Sequence, residues 1–80
     1  MPKFFLNLLE DGTRIDDPDG HELPALVSAR AEAIRSAREI MAEDLRAGRP
    51  LHHGQIEICN NAGEVLEVVR FPDVLKALAD

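Results

Sequence analysis

Eighty residues hold one domain and leave no room for a second core, and 45% apolar with 30% charged residues is a folding composition rather than a disordered one. Fifteen acidic residues against nine basic ones give a formal net charge of −6, and with no basic run to neutralise phosphates, nucleic acid is not an expected partner. The one cysteine, Cys59, cannot form an intrachain disulfide, and no stretch approaches the roughly 20 apolar residues of a membrane span, so the chain is expected to be soluble and cytoplasmic.

Lys3 to Leu9 is short and rich in Phe and Leu, and Glu10-Asp11-Gly12 closes it with a turn. Its apolar start is too short for a signal peptide, because Asn7, Glu10 and Asp11 interrupt it. As a strand it places Phe4, Leu6 and Leu8 on one side and Phe5, Asn7 and Leu9 on the other. Thr13 to Asp16 can return as a second, shorter strand of a hairpin. Asp17-Pro18-Asp19-Gly20 is the strongest turn signal, with φ fixed at Pro and free at Gly.

Leu26 to Ala47 is the longest element expected. No Gly or Pro interrupts it, and every residue is at least a fair helix former. Leu26, Ala29, Ala33, Ala37 and Ile40 share one stripe, with Val27, Ile34, Met41 and Leu45 beside it. The helix start falls between Pro24 and Ser28, while Gly48 and Pro50 stop the far end. Glu32–Arg35, Arg35–Glu39 and Glu43–Arg46 are spaced to pair on the solvent side. Burial against the sheet is expected for Ile34, Ile40, Met41 and Leu45.

Beyond the loop Arg49 to Gly54, Gln55 to Cys59 alternates cleanly, with Ile56 and Ile58 inward. Asn60 to Gly63 reads as a hairpin turn and Glu64 to Phe71 as the partner strand. That strand's pattern is mixed, so either a bulge shifts its register or both faces are covered. Residues 72–80 form a tail that can make a short helix. The order predicts a single α+β domain over residues 1–80: two hairpins (ββαββ) forming a small antiparallel sheet, with one long amphipathic helix on one face.

The opening Met1-Pro2-Lys3-Phe4-Phe5-Leu6, then Asp11-Gly12, the run Asp17 to Leu23 before an Ala-rich helix, and the closing Gly63-Glu64-Val65-Leu66 with Val69 and Phe71 resemble a family of short uncharacterised bacterial proteins. Its members typically open Met-Pro-Arg-Tyr-Phe-Phe and are filed as a domain of unknown function. The similarity runs to about Phe71. Asn7 stands where many members carry His, and Glu10 looks like a one-residue lengthening before the first turn. The resemblance implies a shared fold and a bacterial origin, and supplies no activity, cofactor or catalytic residue.

Asp16, Asp17, Asp19 and Glu22 cluster four carboxylates. Ordinary turn chemistry explains them, with a Ca²⁺ site as the alternative, although the EF-hand spacing is absent. His52 and His53 adjoin in a loop away from His21 and Cys59, which does not match a four-ligand Zn²⁺ spacing and favours a solvated loop. Cys59 with a histidine is the only candidate nucleophilic pair, and a lone strand Cys more often packs as a small hydrophobe. Arg30 and Asp44 are the polar residues nearest the centre of the helix's apolar face. Arg30 is expected to clamp a turn carboxylate, Asp17 or Asp19, tying the first hairpin to the helix.

No catalytic, cofactor or metal residue is assigned, and catalysis is not expected. The function expected is a small interaction module that forms a homodimer through the sheet or binds another protein, because Phe5, Leu9, Leu66 and Val68 point away from the helix. Cover by the C-terminal tail is the intramolecular alternative. The alternative function is a small-ligand or metal-binding protein using Asp16–Glu22 or the His52-His53 loop.

Overall fold

The computed structural model describes residues 1–51 and 53–79. Strand β1 spans Lys3–Glu10, β2 Thr13–Ile15 and β3 His21–Glu22; helix α1 spans Leu26–Arg46; β4 Gln55–Cys59 and β5 Val65–Arg70 follow, and helix α2 runs over Phe71–Ala79. The strands form one antiparallel sheet in the order β2-β1-β4-β5, with β3 also on β1. The α+β reading of the sequence holds, and β3 is an addition to it. Two residues are too few to carry an alternation signal. No helix among the described residues is long and apolar enough to cross a membrane.

Each connection has a local cause. Asp11 sits at φ 48° in the two-residue β1–β2 turn, and Glu10 pairs with Thr13 across it, as the right-handed twist of hairpins favours. Asn60 closes the β4–β5 turn with its side chain, whose Oδ1 accepts the N–H groups of Ala62 and Glu64. At the end of α1, Gly48 at φ 72° lets its N–H reach the Leu45 carbonyl and the Arg49 N–H reach that of Asp44. That double closure satisfies carbonyls the helix cannot.

The core lies between α1 and one sheet face. Ala29, Ala33 and Ala37 are completely buried, so the helix backbone lies close to the strands. Phe4, Ile56, Ile58 and Val69 meet them from the sheet, flanked by half-buried Leu6, Leu8, Ile34 and Ile40. Ile58 and Phe71, both fully buried, each contribute roughly 1.5–3 kcal/mol before entropy.

Two expectations need correction. Leu45 is 72% exposed and Val27 66%. The inward stripe continues from Met41 to Asp44, a step of three residues, so Leu45 is rotated off the sheet. Phe71 does not end the last strand but begins α2, where its ring enters the core. Of the two alternatives for the last strand the bulge is the one present: it lies between Ile58 and Cys59, where Ile58 faces Glu67 and Cys59 faces Val65. Leu66 is the extra residue. Glu67 and Val69 therefore lie on the helix side, and Val68 and Arg70 on the open side.

The two sheet edges are treated differently. Along the outer edge of β1, β2 covers Leu8 to Glu10 and β3 covers Lys3 and Phe4. Between them the Asp17 carboxylate accepts the Leu6 N–H at 3.2 Å, standing in for a strand. The outer edge of β5 pairs with no strand among the described residues.

Candidate functional site

The acidic turn is built as a latch. Asp17 accepts Leu6 N–H through Oδ2 and Gly20 N–H through Oδ1, and Oδ2 lies 3.0 Å from His21 Nδ1. Its own N–H donates to Asn7 Oδ1 at 2.9 Å. Gly20 has φ 70°, and a Cβ there would meet Lys3 Cγ at 2.9 Å and Phe5 Cε2 at 3.0 Å, so the loop crosses β1 where no side chain fits. Asp16 is taken by Arg14, which also reaches Glu57. These hydrogen bonds raise the Arg14 pKa further, its bond to Asp16 first. Asp16 and Asp17 thus serve turn and edge contacts. Among the described residues, no group of three or more His, Cys, Asp or Glu is placed to hold a metal ion.

His53 is exposed and lines a shallow hollow with Glu10, Asp11 and Gln55; His52, the other half of the proposed pair, lies outside the described residues. Cys59 is buried on the open sheet face and accepts a 3.5 Å contact from Asn7 Nδ2. The two side chains, 52 positions apart, are brought together by the β1–β4 ladder. Asn7 is itself buried, and its amide bridges the latch to Cys59. Sequence reasoning gave Asn7 no role; a polar residue inside an otherwise apolar strand was the available signal.

Arg30 does not reach Asp17 or Asp19. It makes a two-pronged contact with Glu67, with Nε and Nη2 each 2.5 Å from a carboxylate oxygen. The pair ties α1 to β5, at the other side of the sheet from the first hairpin. Asp17 is unavailable because the β1 edge uses it. The hydrogen bonds from Arg30 hold the Glu67 carboxyl below the usual glutamate range and raise the Arg30 pKa. Arg30 keeps half its side chain in water (49% exposed), so the clamp is a rim contact rather than a buried one. Asp44, the second polar residue of the stripe, is buried and accepts from Arg49 Nε at 3.1 Å. The expected solvent-side pairs Glu32–Arg35, Arg35–Glu39 and Glu43–Arg46 are all present.

Two surfaces remain after these residues are placed. One is the sheet face opposite α1. Val65 and Leu66 are exposed there, Phe5, Leu9 and Val68 are half-buried, and the Arg14–Glu57 pair crosses it. Helix α2 does not cover it; α2 packs against α1 and β5, with Phe71 and Val74 in the helix-side core. The other surface is a groove of about 490 Å³ between α1, β5 and α2, with Ile34, Val69, Val74 and Leu78 among its lining.

A family model described as a domain of unknown function, DUF6894, matches residues 3–72. The chain belongs to the DUF6894 family. The DUF6894 match takes in the Asp17 latch, the Arg30–Glu67 pair and all five strands, and it ends two residues into α2. No curated protein and no solved structure matches the chain.

Proposed function

We propose that this DUF6894 protein is a small, non-catalytic interaction module that self-associates through the sheet face opposite α1. One observation carries the reading: α2 packs beside α1, so the tail that could have covered the second sheet face is committed elsewhere. The face keeps its apolar residues Val65, Leu66, Val68, Phe5 and Leu9, and a second copy placed on it removes that surface from water. A two-fold contact is the simplest closed arrangement, since the same patch then serves both copies. The same reading places the module in a bacterial cytoplasm, supported by the resemblance to short bacterial proteins and by a single cysteine that is buried and unpaired.

The test is a double variant, Val65→Glu with Leu66→Glu, measured by light scattering. Both side chains are at least 42% exposed, so the fold tolerates the change. The expected result is a dimer in the parent and a monomer in the variant. A dimer of unchanged strength in the variant rejects the face as the contact.

A further inference from the structure

The groove beside β5 is a separate surface from the open face, and three observations converge on it. The first is the state of the strand edge. The Phe71 N–H donates to the Gly54 carbonyl at 3.0 Å, which makes that pair a hydrogen-bonded one. In an antiparallel ladder such pairs alternate with non-bonded ones. Given the register Ile56–Val69 and Glu57–Val68, Val69 turns its backbone groups toward β4. Val68 and Arg70 turn theirs outward, at an edge that no described strand covers.

The second is shape and lining. The groove runs alongside that outward backbone, and side chains from an added strand on the helix side would enter it. Ile34, Val69, Val74 and Leu78 make an apolar floor.

The third is charge. The chain has seven arginines. Arg14, Arg30, Arg35, Arg46 and Arg49 each sit on a carboxylate. Arg38 and Arg70 have no carboxylate partner among the described residues, and both line this groove. Glu67 in the same wall is already neutralised by Arg30. Asp73, in the first turn of α2, offsets one positive charge and leaves the rim with a surplus of one. In a chain of net charge −6, this is a local reversal of sign.

We propose that the β5 edge and its groove bind an extended peptide segment of a protein partner, acidic and apolar in alternation, as an added strand. The outward N–H and C=O groups of Val68 and Arg70 would supply the pairing, the groove would take the apolar side chains, Arg70, whose side chain leaves β5 on the open side, would take the carboxylates that alternate with them, and Arg38 at the groove's rim would add attraction at longer range. Neither catalysis nor the open-face contact is required for this.

The test uses the full chain and labelled octapeptides of alternating Val with Glu, Lys or Ser, read by fluorescence anisotropy and by amide shifts. The Glu peptide is expected to bind at least roughly tenfold tighter than the Lys peptide, with affinity falling as salt rises. The largest shifts are expected at the Val68 and Arg70 amides. Arg70→Glu, at an exposed position of β5, is expected to weaken the Glu peptide by roughly tenfold or more without changing the far-ultraviolet spectrum. Val68→Pro, which removes an outward N–H and replaces one side chain of the open face, is expected to weaken all strand addition while leaving the β4 ladder intact. Equal binding of the Glu and Lys peptides, or no effect of Arg70→Glu, overturns the charge assignment. No binding of any peptide overturns the site. If Val68→Pro abolishes self-association while Val65→Glu with Leu66→Glu preserves it, the edge is occupied by a second copy, and both this proposal and the open-face contact fall. A monomeric parent that still binds the Glu peptide leaves the site standing and rejects only the self-association.

Discussion

Met41 and Leu45 lie four residues apart on α1 and look equivalent in the sequence, yet the fold separates them. Met41 is 5% exposed against the sheet, whereas Leu45 is 72% exposed. Truncating Met41 to Ala removes contacts with a close-packed core and leaves a cavity, a loss of about 2–5 kcal/mol. Truncating Leu45 to Ala removes little buried surface and installs a better helix former, so the change is within about 0.5 kcal/mol. For a domain of 80 residues with total stability on the order of 4–12 kcal/mol, the first loss is a large fraction of the whole. Chemical denaturation followed by far-ultraviolet circular dichroism measures both, and the slope should stay constant between variants. Equal costs, or a larger cost at Leu45, would refute the inward rotation of the helix at Asp44 and the placement of its face.

Other consequences follow from the same contacts. Phe71→Ala is expected to cost about 3–5 kcal/mol, since a fully buried ring between β5 and α2 is lost; a cost below about 1 kcal/mol would mean that α2 is not anchored there. Asp17→Ala leaves the Leu6 and Gly20 N–H groups without their acceptor and should cost about 1–3 kcal/mol, with faster amide exchange at Leu6 as the site-specific sign. Glu67 is held below the usual glutamate range by hydrogen bonds from Arg30. A carboxyl with a lowered folded-state pKa stabilises fully above its unfolded pKa, near about 4.3, and the contribution disappears as pH falls through the folded value. Glu67→Gln should therefore flatten the acid side of the stability profile below that pH, and parallel profiles would contradict the pairing. Arg30→Ala, by contrast with the turn clamp read from sequence, should lower the melting temperature only modestly, because its head group is half in water. A thermal-shift series with Ca²⁺ and Zn²⁺ should show no rise in midpoint; a saturable rise would restore a metal role to Asp16–Glu22 or the His52-His53 loop.

Local chemistry made much of this fold legible in the sequence. Gly48 and Pro50 mark the end of α1, Asp11-Gly12 and Asn60 to Gly63 mark the hairpin turns, and the broken alternation after Glu64 announced a bulge as one of two options. What could not be read depended on tertiary placement. The sequence does not identify the carboxylate that Arg30 meets, because that partner depends on which strand the first turns of α1 cross. The helix angle on the sheet brings Glu67 to it, not Asp17. Phe71 continues the apolar alternation of β5 and precedes a proline, so it reads as strand, although it starts the helix. The groove was invisible for the same reason: its third wall exists only because α2 turns back onto α1.

The open sheet face is the claim on which the functional reading stands, and sedimentation equilibrium of the unmodified chain tests it most directly. Self-association through this face gives a mass rising with micromolar concentration toward twice the 8.8 kDa of one chain. A mass fixed at 8.8 kDa across that range would contradict it.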